Sequence, residues 1–176
     1  MRRRGMWAVV VMGCLVVGAA ARAEKHDGAA AADSPDFARI KSLAGKWEGT
    51  SQRGSGEKET AAVEYKVTSG GSAVVETLFP GTPHEMVSVY HDVNGKLAMT
   101  HYCMLHNQPQ LQLTGADGQH LELSLADSPG IDAAKDVHMH ALSLAWQDPD
   151  HVTQVWTSYE GGKPKETTTI TLSRAR

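Results

Sequence analysis

The chain has 176 residues, with 17 Lys+Arg against 20 Asp+Glu and a formal charge of −3. Arg2, Arg3, Arg4 and Arg22 fall within residues 1–23, which contain no acid, so the remaining 153 residues carry 13 basic and 20 acidic side chains, a charge of −7. An acidic chain of this length fits one domain and argues against nucleic acid or anionic lipid as the main partner.

Residues 1–23 read as a signal peptide. They combine a basic start, an apolar run from Met6 to Ala21, and Ala21-Arg22-Ala23 as a small-x-small cleavage site. The run is short for a membrane span, so no transmembrane segment is expected in the mature chain. Export to the periplasm or the exterior follows, with cleavage after Ala23. Val11-Met12-Gly13-Cys14 loosely resembles a lipoprotein box, which would instead leave a lipid on Cys14. Met12 fits that box poorly, however, and the apolar run continues through Leu15, Val16 and Val17. Ordinary cleavage leaves Cys103 as the single cysteine, which excludes an internal disulfide.

Residues 24–35 are small and polar, with alanine at 29–32, and read as a flexible linker. The domain is expected over 36–176. Ser34-Pro35-Asp36 has the chemistry of a helix start, Phe37, Ile40 and Leu43 share one face, and Gly45 ends the helix. From Lys46 the apolar period becomes two. Ten strands are expected, near 46–52, 60–68, 73–79, 85–92, 96–104, 110–115, 119–126, 136–146, 151–159 and 165–173. Asn94-Gly95 and Asp117-Gly118 have the composition of two-residue hairpin turns, in which both positions take positive φ.

Leu121, Leu123 and Leu125 alternate with His120, Glu122 and Ser124, and Val63, Tyr65 and Val67 alternate with Glu64, Lys66 and Thr68. One packed face and one wet face, repeated over ten short strands, describe an all-β, ten-stranded antiparallel up-and-down barrel with a short N-terminal helix. A barrel of that size has room for an interior ligand.

Gly45-Lys46-Trp47, where the helix passes into the first strand, resembles the G-x-W opening of the lipocalin-like (calycin) barrels. The resemblance implies an Arg beyond the last strand that covers the Trp ring. Arg174 stands in the matching place, with Arg176 as its substitute. Gly45-Lys46-Trp47-Glu48-Gly49 also looks like the opening of nitrobindin-type haem barrels. Haem stays the second reading, because the final strand, Pro164 to Ser173, has no histidine for a proximal ligand. Most of the mature chain is similar to exported bacterial lipocalin-like proteins of uncharacterised function. The likeness runs through Gly70-Gly71-Ser72-Ala73, Glu76 to Met86, Thr100-His101-Tyr102-Cys103 and Asn107-Gln108-Pro109. It implies a fold and no activity.

The chemistry-bearing residues follow from strand phase. His101 and Cys103 are in phase with Leu97 and Met99, His138 and His140 with Leu142, Leu144 and Trp146, and Glu76 with Val74 and Leu78. All are therefore expected on the inward side. His84, after Pro80-Gly81-Thr82-Pro83, is placed over a barrel mouth, and Tyr90 and Trp156 are expected to line the cavity. Imidazoles, a carboxylate and a thiol facing inward suit a small ligand with a polar head, or a divalent metal such as zinc on His101, His138, His140 and Glu76. Cys103 supports such a site, and as a lone thiol is otherwise a small buried apolar group. A small-molecule enzyme in the same pocket is the alternative, with His101 or His140 as base. No G-x-S-x-G, C-x-x-C or H-E-x-x-H motif adds to it.

Overall fold

The computed structural model describes residues 32–176. The signal peptide expected over 1–23 and most of the linker lie outside the described residues. A short helix, α1 (Pro35–Ser42), precedes ten strands: β1 (Gly45–Arg53), β2 (Lys58–Thr68), β3 (Ala73–Leu78), β4 (Met86–Val93), β5 (Lys96–Tyr102), β6 (Gln110–Ala116), β7 (His120–Leu125), β8 (His138–Asp148), β9 (His151–Glu160) and β10 (Lys163–Arg174). Each strand pairs antiparallel with its chain neighbour, and β10 returns to β1, so the sheet closes into a barrel. Closure leaves no unpaired edge among these strands. No helix among the described residues is long and apolar enough to cross a membrane.

The helix forms where its start was expected. Ser34 caps it by accepting a hydrogen bond from the Phe37 N–H at 3.1 Å, and Pro35 follows at the first helical position. Ser34 is itself held by Asp92 of β4, through its N–H at 2.6 Å and its hydroxyl at 2.7 Å. The last two residues of the expected linker are thus part of the fold. Phe37, Ile40 and Leu43 are buried and close one end of the barrel.

That end is fastened by Trp47 and Arg174. The indole Nε1–H of Trp47 donates to the Leu43 carbonyl at 2.7 Å, and the Arg174 guanidinium lies 4.3 Å above the Trp47 ring centroid. The same guanidinium donates at 3.0 Å to the carbonyl of Ser42, the last residue of α1, which lacks a helical partner, and at 2.9 Å to that of Ala44 just beyond the helix. The contact expected from the G-x-W resemblance is present. Gly49 is required beside it: a Cβ there would lie 1.9 Å from the Thr171 carbonyl oxygen of β10.

Asn94 and Gly95 both take positive φ, as their hairpin turn demands. The Asp117-Gly118 expectation is corrected, since neither residue has positive φ. There the Asp117 carboxylate accepts the N–H groups of Gln119 and His120 at 2.7 and 2.8 Å, and this side-chain closure replaces the mirror-image turn.

Replacing Arg174 by alanine should lower stability by about 2 kcal/mol, the sum of a stacked cation and charged hydrogen bonds discounted for partial exposure. Gly49→Ala should cost more, because backbone rather than a movable side chain blocks the new methyl. Chemical denaturation of both variants checks the order; equal or inverted losses contradict it.

Candidate functional site

Four neighbouring strands place one inward residue each in direct register. Tyr65 of β2 pairs with Glu76 of β3, Glu76 with Ser88 of β4, and Ser88 with His101 of β5. All four side chains are buried, in a barrel otherwise filled by Val, Leu, Met and Trp. This row is a polar belt inside an apolar core, and its hydrogen bonds must therefore be internal.

Glu76 is the centre of the belt. Its carboxylate accepts from the Tyr65 hydroxyl at 2.7 Å, the Tyr90 hydroxyl at 2.9 Å and the Gln154 amide at 2.6 Å. Gln154 reaches it from β9, so this contact crosses the barrel interior. Gln154 Nε2 also donates to the Tyr65 hydroxyl at 2.5 Å, while its Oε1 accepts from the Trp156 indole at 2.9 Å. Burial pushes the Glu76 carboxyl above its usual range, against the pull of these donors. Burial and the adjacent Glu76 charge push the Tyr65 and Tyr90 hydroxyls well up, so both remain neutral donors.

His101 ends the row. Its Nδ1 lies 3.0 Å from the Ser88 hydroxyl, and its ring rests on Trp156 with centroids 4.7 Å apart. Its Nε2 is buried and has no hydrogen-bond partner. Burial lowers the imidazole from 6.5 to about 4, so the ring is neutral near pH 7. A neutral imidazole with one uncommitted nitrogen binds a hydrogen-bonding group well and abstracts protons poorly.

The other candidates lie elsewhere. β5 ends at Tyr102, so Cys103 leaves the strand and falls in the β5–β6 loop, where its N–H donates to the Asn107 carbonyl at 3.2 Å. Burial raises the Cys103 thiol above its ordinary value, so it is protonated at neutral pH. In the same loop Asn107 donates to the Val137 carbonyl at 2.7 Å, while its buried Oδ1 is unpartnered. His84 is exposed in the β3–β4 loop, its N–H bonded to Thr82 Oγ1 at 3.1 Å.

His138 and His140 require a correction. They were expected in the inward row of Leu142 and Leu144, but the β8–β9 register shifts between Met139 and Ala141. Leu142 pairs with Trp156 and His138 with Tyr159, so between these pairs three residues of β8 oppose two of β9, and His140 is the extra one. Sides alternate along β9, so His138 shares the face of Tyr159, opposite to Trp156. Met139 takes the inward place and packs against the core. Among the described residues no three His, Cys, Asp or Glu side chains converge as a metal site. The set Glu76, His101, His138 and His140 is divided between the two faces of the sheet.

Sequence reasoning left Ser88 and Gln154 out of the site. Gln154 had a readable signal, since a lone amide stands in phase between Val152 and Trp156 on an apolar row. Two surface concavities, of about 500 and 260 Å3, lie by Arg53 and Lys165 and by Val93 and Gln112 respectively. Neither is lined by a residue of the belt.

No family model matches the chain, and no curated protein matches it. Two solved structures are similar to it. One is a protein of unknown function from the DUF3598 family of Nostoc punctiforme PCC 73102, with a TM-score of 0.53 and 14% identity over 77% of this chain and 49% of that one. The other is a redesigned β-barrel, with a TM-score of 0.37 and 13% identity over 78% of this chain and 95% of that one. The chain spans about half the length of the Nostoc protein, and the likeness is one of fold.

A depressed His101 has a signed consequence. The unfolded chain takes up a proton near pH 6.5 and the folded one only near 4. The stability this group provides is therefore complete above 6.5 and is lost as pH falls to about 4, in total about 3 kcal/mol. Denaturation at several pH values should show wild type losing about 3 kcal/mol relative to His101→Phe between pH 6.5 and 4, so that the variant becomes the more stable protein in acid. Parallel stability curves contradict it.

Proposed function

We propose that the protein is an exported calycin-like barrel that binds a small, mostly apolar molecule carrying one hydrogen-bonding group, held by His101. One observation carries this reading: His101 Nε2 is the one member of an otherwise satisfied interior belt with nothing to bond. A buried polar atom left unpaired costs about 1–3 kcal/mol, a penalty that a ligand group or an ordered water removes. Ser88 fixes the other ring nitrogen and Trp156 fixes the ring plane, so the free lone pair or N–H has a set direction.

The surroundings support an apolar body for the ligand. Leu97, Met99 and Leu111 stand on β5 and β6 beside His101, and the β5–β6 loop exposes Met104 and Leu105 at the end of the barrel away from α1. A site whose cost is relieved only on binding trades stability for affinity. His101→Phe keeps an aromatic ring against Trp156 and removes the unsatisfied atom, so it is expected to leave the free protein as stable as wild type or more so at neutral pH.

Native mass spectrometry tests the reading. Protein purified from the compartment to which it is exported should retain a non-covalent adduct below about 1 kDa, and His101→Phe should lack it. Identical spectra for the two proteins, with or without an adduct, contradict the role of His101.

A further inference from the structure

The bulge that removes His138 and His140 from the interior assembles them into something else. His138 Nε2 lies 3.1 Å from His140 Nδ1. The second nitrogen of His138 is 2.9 Å from the Asp136 carbonyl oxygen. A carbonyl only accepts, so His138 Nδ1 carries the proton and Nε2 presents a lone pair towards His140. An imidazole whose far nitrogen is held by a backbone carbonyl has the outer-shell arrangement of metal-ligating histidines. The His140 ring is stacked on Tyr159, with centroids 3.7 Å apart and planes 16° apart, and this limits its rotation.

We propose that His138 Nε2 and His140 Nδ1 form a two-nitrogen clamp for a divalent first-row transition ion on the outer face of β8. Two nitrogens bound at ordinary zinc or copper distances to one ion, with an angle between 90° and tetrahedral, lie about 2.8–3.4 Å apart. The observed separation falls within that range. His140 binds as the tautomer with its proton on Nε2, so the proton moves from one ring nitrogen to the other and none is released. Water completes the coordination sphere, since no third protein ligand converges there among the described residues. His138 is fully buried although it shares the face of Tyr159, and access is from the partly exposed His140 side. Among such ions Cu2+ binds an all-imidazole pair most tightly. The clamp stands apart from the His101 site, on the other face of the sheet.

The test is a Cu2+ titration of the full purified protein, followed by calorimetry and electron paramagnetic resonance. All proteins carry His26→Ala, because cleavage after Ala23 would create an amino-terminal Glu24-Lys25-His26 that chelates Cu2+ by itself. The parent should bind one Cu2+ per chain with hyperfine structure from two ring nitrogens. His140→Phe keeps the stack on Tyr159 and should weaken binding at least tenfold, as should His138→Ala if it remains folded. No stoichiometric binding by the parent overturns the proposal, as does unchanged binding by His140→Phe. So does loss of binding in His120→Ala or His151→Ala instead, which would assign the ion to the surface pairs His120–Asp117 or His151–Asp148.

Discussion

The interior of this barrel depends on one buried carboxylate. Glu76 is fully enclosed, and an enclosed carboxylate is tolerated only where donors replace its lost water. Tyr65, Tyr90 and Gln154 supply them from β2, β4 and β9, so a single carboxyl group ties strands on both sides of the barrel. The arrangement stabilises the closed form through its completeness rather than its net attraction. Removal of one partner leaves a buried carboxyl oxygen short of a donor, which costs more than the bond itself contributes.

That constraint explains why the polar row is continuous. Gln154 spends its amide on Glu76 and Tyr65 and its carbonyl on Trp156, which in turn supports the His101 ring. Ser88 stands in register between Glu76 and His101 and bonds the imidazole. The chain of satisfied groups runs from Glu76 outward and stops at His101 Nε2. Everything upstream sets the position of that nitrogen and burial sets its neutral state; nothing downstream uses it. The α1 end is a separate device, closed by Trp47 and Arg174 with no titrating group of the belt involved.

Much of the fold was legible because it rests on local rules. Alternation such as Leu121, Leu123 and Leu125 located the strands, Ser34-Pro35 located the helix start, and Asn94-Gly95 took the turn its composition favours. Glu76 and His101 were read correctly as inward for the same reason, since β3 and β5 run without a register shift up to those positions. The β8 pair was not legible. His138, His140, Leu142 and Leu144 keep perfect even parity, and the extra residue that reverses the face is visible only in pairing with β9. Asp117-Gly118 failed for a related reason, because a carboxylate capped the turn that the backbone was expected to form. The Gln154 donor to Glu76 was hidden by distance, since it is 78 residues away in the chain.

The central claim is that the Glu76 belt positions His101, which burial keeps neutral, with one nitrogen uncommitted. Nitrogen-15 resonance of the histidine rings during a pH titration measures both properties at once. The account predicts a single neutral tautomer of His101 that persists until about pH 4, with Nε2 free of any protein partner. Protonation of His101 near 6.5, or a coupling from Nε2 to another protein group, would contradict it.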